Sequence, residues 1–157
     1  MDTTNKQAEV IEFLALQEEA ISRLYQVYAG LSAKYKDFWI ELAKEETNHA
    51  NWIRDLGIKT KEGKIYFSGE RFRAGAIKAS TAYIESQTMA ADRDDFTEIS
   101  ALAMSYALED ALLEKKFFEI FESDAAELKH LLKELSDSTT QHRQRVKAAL
   151  DAERAVN

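Results

Sequence analysis

The sequence predicts an all-α fold of long packed helices, and three observations carry that prediction. The chain has no proline and only five glycines in 157 residues, so the punctuation that strands and tight turns require is nearly missing. Apolar residues recur at alternating steps of three and four over most of its length, the period of a helix with one buried side. The length suits one domain with a substantial core, and the whole span 1–157 is read as one unit.

The first helix is expected to start at Thr3 or Thr4, either of which can cap it, and to run to about Gly30. Its inward stripe is Ile11, Leu14, Glu18, Ile21, Tyr25 and Tyr28. A break at Gly30–Ala33 folds a second helix back on the first, with Tyr35, Trp39, Leu42, Glu46, His49, Ile53 and Leu56 inward and an end at Gly57. The segment 58–69 holds two glycines, Gly63 and Gly69, and a short β-like run. A helix over about 70–91 follows, with Phe72, Ala76, Ala79, Tyr83 and Ile84 as its apolar face, and is long enough to cross the length of a bundle. Tyr66, Phe67, Phe72 and Tyr83 read as packing or dimer contacts.

Asp92–Asp95 supplies caps for a helix over about 96–121, with Ile99, Leu102, Tyr106, Glu109, Leu113, Phe117 and Ile120 inward. Ser123 and Asp124 cap the last helix, Glu127 completing a capping box, and its stripe is Leu128, Leu131, Leu135, Ser138, His142, Val146 and Ala149. His130 fits no stripe and reads as solvated. The architecture expected is a four-helix bundle of two helical hairpins joined by a long crossover that contains an extra helix.

Charge and composition narrow the function. A net charge of −7 with no Lys/Arg-dense stretch argues against nucleic acid or an anionic membrane as partner. No apolar run approaches the roughly 20 residues of a membrane helix. Residues 1–6 lack the basic start and apolar core of an export signal, so a cytoplasmic setting is expected. The absence of cysteine excludes disulfides, thiol catalysis and cysteine-held iron–sulfur or rubredoxin-type centres in this chain. Redox chemistry here would need an external electron donor.

Against that background, Glu18, Glu46, His49, Glu109 and His142 stand out as ionisable residues inside apolar stripes. In an antiparallel hairpin, residues equidistant from the turn share a level, and Glu18 and Glu46 are equidistant from position 32. Glu109 and His142 likewise straddle the second turn. The segment Leu16–Ala20 also echoes Ala107–Ala111, aligning Glu18 with Glu109. Several buried carboxylates repel one another unless something positive joins them. A set of satisfied structural pairs is the alternative, but no lysine or arginine lies in these stripes. Fe, Mn or Zn suits a donor set of carboxylate oxygens and imidazole nitrogens.

Glu18 with Tyr25, Glu46-Thr-Asn-His49, Glu109-Asp-Ala-Leu-Leu-Glu-Lys-Lys-Phe-Phe118 and His142 together resemble the rubrerythrin-type diiron domain of the ferritin-like superfamily, over nearly the whole chain. The resemblance implies Glu18 and His49 on one iron, Glu109 and His142 on the other, and Glu46 bridging. It implies an oxidase, peroxidase or ferroxidase acting on dioxygen or peroxide, and a homodimer. Tyr25 would hydrogen-bond a ligand or donate a proton; core packing is its other reading.

Two departures qualify this picture. Ser138 and Thr139 stand where the family has a second bridging glutamate, and Asp137 lies too far around the helix to replace it. Leu112 stands where peroxidase-type members have a further glutamate. Three glutamates leave two divalent ions with one excess positive charge, which invites hydroxide, oxide or an external anion as second bridge. Two iron ions, a single ion, Mn or Zn in place of Fe, and a silent bundle that stores or senses metal or mediates assembly all stay open at this point.

Overall fold

The structure is a computed structural model that describes residues 3–63, 66–67, 74–93, 95–114, 121–122 and 126–156. It is all-α in character, with five helices among the described residues: α1 (Thr3–Leu31), α2 (Lys36–Lys61), α3 (Ala74–Arg93), α4 (Glu98–Glu114) and α5 (Ala126–Val156). The β-like run of the sequence forms a two-residue strand, β1 (Tyr66–Phe67), antiparallel to β2 (Phe121–Glu122), with Tyr66 opposite Glu122. Residue 121 is therefore extended rather than the last residue of a helix. The expected inward residues Phe72, Phe117 and Ile120 and the Ser123–Asp124 cap lie outside the described residues, as do the side chains of Leu113, Glu127, Leu128 and Leu131.

Partner numbering gives the helix directions. Ser22 Oγ donates to the Ala43 carbonyl at 2.8 Å while Arg54 reaches Glu12 at 3.1 Å, so α1 and α2 are antiparallel. Tyr35 at the start of α2, and Glu46 and His49 within it, meet Glu153, His142 and Ser138 of α5, so these two also run oppositely. Ser32 and Tyr25 meet Glu98 and Glu109, which makes α4 antiparallel to α1. Lys78 lies over the Phe13 ring and Arg23 pairs with Glu85, so α3 runs alongside α1 in the same direction. No helix among the described residues is long and apolar enough to cross a membrane.

The turn between α1 and α2 is held by Ser32. Its Oγ accepts the Tyr35 N–H at 2.8 Å and donates to the Glu98 carboxylate at 2.8 Å, tying the start of α2 to the start of α4. The end of α2 departs from expectation. Gly57 is an interior residue packed against Ile11, and the helix continues to Lys61. The terminating glycine is Gly63, with φ of 75°, whose N–H bonds to the Thr60 carbonyl. On α3 the buried positions are Ile77 and Ile84, seven apart, while Tyr83 is 51% exposed and Ala76 and Ala79 face solvent. Two isoleucines bury more apolar area than the alanines of the expected face and so set the rotation of the helix.

The apolar core falls into two clusters. One gathers Val10, Ile11, Leu14, Ala15, Ala50, Ile53, Leu56, Ile77 and Leu135. The other includes Leu24, Tyr25, Tyr28, Trp39, Leu42, Ile84, Leu102 and Val146. A polar layer separates them.

The backbone makes a paired prediction. Gly63→Ala places a Cβ in the left-handed region and should cost about 1–2 kcal/mol. Gly30→Ala, in a helical turn with open space around it, should gain about 0.5 kcal/mol, both read by urea denaturation.

Candidate metal centre

The polar layer consists of Glu18 from α1, Glu46 and His49 from α2, Glu109 from α4 and His142 from α5, each at most 3% exposed. They arrive there because each replaces one member of an otherwise apolar helical stripe. All five residues expected from the sequence are thus buried at one level of the core. Tyr25, fully buried, joins them.

Glu46 is the hub. His142 Nδ1 lies 2.9 Å from Glu46 Oε1, and His49 Nδ1 lies 3.4 Å from Glu46 Oε2. One carboxylate therefore has an imidazole at each of its two oxygens. The imidazole rings are stacked, with centroids 5.0 Å apart and planes inclined by 19°. Ligand atoms of Glu46, His49 and His142 all lie within 4.8 Å of one another, and this buried triad could hold a metal ion. Glu109 Oε1 is 3.7 Å from His142 Nδ1 and accepts the Tyr25 hydroxyl at 2.9 Å, and Ser105 Oγ donates to Tyr25 at 2.8 Å. Glu18 lies close enough to Glu46 for each carboxyl to bias the other's protonation.

Protons organise this layer. Burial, then the charge of Glu46 and the hydrogen bond with it, push the Glu18 carboxyl well above the usual range, so it stays protonated. Burial acts the same way on Glu46, but hydrogen bonds with Glu18 and His142 and the neighbouring His49 outweigh it and hold Glu46 well below the usual range. Burial and the Glu46 charge raise Glu109 to about 7. Burial opposes the charge on His142, yet the carboxylates of Glu109 and Glu46 lift it to about 10. Tyr25 is pushed well above the usual phenol range by burial and by Glu109.

The donor chemistry fits a cation. Glu18 Oε2, Glu46 Oε2 and Glu109 Oε2 are buried and lack a hydrogen-bond partner. Each such oxygen is costly to leave unpaired, and a divalent ion would satisfy it. Carboxylate oxygens with imidazole nitrogens suit iron, manganese or zinc. Thr139, 4% exposed and three residues before His142, takes the inward position of the expected second bridging carboxylate; its Oγ1 donates to the Leu135 carbonyl at 3.1 Å. Ser138 is half-buried and its Oγ lies 2.9 Å from His49 Nε2, so it orients a ring rather than offering a ligand to the layer.

One neighbour escapes sequence reasoning. Glu45 Oε2 approaches His142 Nε2 to 2.5 Å, outside hydrogen-bonding geometry, and Arg145 Nη2 bonds to the same oxygen. A carboxylate behind a metal-binding imidazole fixes its orientation and raises its basicity. Glu45 reads as solvent-facing in the sequence because it precedes Glu46 by one residue, about 100° around the helix. Its approach depends on the rotation of α5, which no pattern in α2 encodes.

No protein-family model, curated protein or solved structure matches this chain. The functional reading therefore rests on the geometry and chemistry of these residues.

The proton arrangement sets the pH dependence of the metal-free protein. Glu18, Glu109 and His142 hold their protons to higher pH in the folded than in the unfolded chain, so their contributions weaken as pH rises: the carboxyls from about 4.5, His142 from about 6.5 up to about 10. Glu46 has the opposite sign, its contribution being lost as pH falls below the ordinary carboxylate range. Thermal unfolding in chelator should give its highest Tm near about pH 5 and decline steadily toward about pH 9. Glu109→Gln should flatten the part of that slope around neutrality.

Proposed function

We propose that α1, α2, α4 and α5 form a ferritin-like four-helix bundle, with the segment between α2 and α4 as a crossover carrying α3, and that the chain is a rubrerythrin-like non-haem metal protein of the diiron oxidoreductase class. The helix directions support the architecture: α1 and α5 run one way, α2 and α4 the other. The observation that carries the function is the Glu46 carboxylate with one imidazole Nδ1 at each oxygen, flanked by Glu18 and Glu109 with unpartnered oxygens. A bridging carboxylate between two ions has this form.

In this reading Glu18 and His49 would hold one ion and Glu109 and His142 the other, with Glu46 available to both. Bound iron would supply the one-electron chemistry that lets dioxygen or peroxide act as substrate. The protein supplies the rest. Glu46 keeps the two imidazoles at one level; Ser138 holds His49 by a hydrogen bond and the Glu45 carboxylate backs His142 electrostatically. Tyr25 donates to Glu109 Oε1, which leaves the buried Oε2 without a partner and keeps a phenolic proton at the edge of the site. Burial of the layer excludes bulk water. The electron donor is external, since the sequence has no cysteine.

A second reading is favoured by Thr139. With no carboxylate there and with Glu46, His49 and His142 clustered most tightly, the site would hold a single ion for storage or sensing.

Anaerobic Fe(II) titration of chelator-treated protein with elemental analysis separates these readings. Two ions per chain are expected; one would favour the single-ion site, and none would remove the metal from the proposal. Binding should release protons, because Glu18 and His142 must give theirs up. At an excess of about 100 Kd the ion should add roughly 2.7 kcal/mol to stability. Glu46→Gln should abolish binding while keeping the shape of the layer. Glu45→Ala should weaken it by about 10–100-fold.

A further inference from the structure

Beyond its polar layer the core contains a continuous run of oxidisable rings. Tyr25, whose hydroxyl rests on Glu109, has its ring centroid 5.3 Å from that of Trp39. Trp39 lies 5.0 Å from Tyr28 by the same measure. Tyr28 lines a cleft of about 230 Å³ at the α3–α4 junction, together with Phe96, Thr97, Asp95 and Met104. Met104 Sδ accepts the hydroxyl of the half-exposed Tyr83 at 3.9 Å. The rings thus pass from a carboxylate of the polar layer to the wall of this cleft without an aliphatic gap. Trp39 is fully buried and its Nε1 has no hydrogen-bond partner among the described residues. Packing alone explains apolar rings in a core; it does not explain a phenol on a ligand carboxylate at one end and a cleft at the other.

We infer that Tyr25, Trp39 and Tyr28 form a one-electron conduit between the metal layer and the α3–α4 cleft. Its working direction rests on the metal reading above: peroxide or dioxygen reacting at the layer is the oxidant, and a small hydroquinone-type reductant at the cleft is the electron source. Each step moves one electron inward. When Tyr25 is oxidised, its electron goes to the layer and its phenolic proton passes to Glu109 Oε1. Trp39 then returns an electron to Tyr25, the proton comes back from Glu109, and the indole becomes a radical cation. With no acceptor at Nε1, the oxidised indole keeps its proton. Tyr28 reduces Trp39, releasing its own phenolic proton through the cleft, and the reductant restores Tyr28 with one electron and one proton.

Conduction can be tested without metal. In the full-length, chelator-treated protein carrying Trp52→Phe, Trp39 is the sole indole. Laser photoionisation removes one electron from it, the ejected electron being scavenged, and transient absorption follows the rest. The expected result is the longer-wavelength band of a protonated indole radical, decaying at a rate independent of protein concentration as a tyrosyl radical rises. Tyr28→Phe should reduce the tyrosyl yield, the Tyr25→Phe/Tyr28→Phe pair should lose it, and Tyr106→Phe should leave it unchanged. Decay without a tyrosyl signal, or the same signal in the double variant, would overturn the conduit. Each Tyr→Phe change preserves the ring, and either single variant still decides if the pair does not fold. Failure of iron to bind would sink the metal reading and leave this result intact.

Discussion

Everything in this core answers to one constraint: five ionisable side chains sit between two apolar clusters, where a lone charge is very costly. The metal-free protein meets it by sharing. Glu46 carries the negative charge, His142 the positive one, and Glu18 stays neutral by keeping its own proton beside the Glu46 carboxylate. Protons thus supply the positive charge this layer needs, with ligand atoms of Glu46, His49 and His142 already within 4.8 Å of one another. In the proposed metal reading, an ion would compete with those protons for the same atoms.

Precision in such a layer requires helices that cannot slide. Ser22, bonded to the Ala43 carbonyl and to Thr47, registers α1 against α2 close to Glu46. Arg143, held by Asp110 and Tyr106, registers α5 against α4 one residue from His142. Farther away, Glu153 receives Lys34 and the Tyr35 hydroxyl, and Ser32 receives Tyr35 and binds Glu98. These polar clamps lie above and beside the layer, so the long helices meet at one height despite sparse turn chemistry.

How far the sequence foretells this depends on whether a feature is periodic. Glu18, Glu46, His49, Glu109 and His142 are legible because each breaks an apolar stripe, and equal distance from a turn brings such breaks to one level. The α3 face is less legible because alanine signals weakly, and Ile77 and Ile84 override the expected rotation. Gly57 misleads because a glycine ends a helix only where the backbone takes a positive φ, which happens at Gly63. Position 139 rather than 138 is the inward residue of α5, a difference of about 100° that a helix of mixed polarity does not declare. Glu45 is illegible for the same reason, since its role arises from where α5 puts His142.

The split core also shapes the order in which the molecule assembles. The cluster around Leu14 and Ile53 draws all its buried members except Ile77 and Leu135 from α1 and α2, which are neighbours in sequence. The cluster around Trp39 and Leu102 needs α4 and α5, much farther along the chain. Loop-closure entropy favours the near partners, so the α1–α2 hairpin is expected to condense first, carrying Glu18, Glu46 and His49. His142 and Glu109 arrive only as the distant helices dock. The hairpin thus carries three residues of the polar layer before the other two have been placed, and docking is the event that closes the layer.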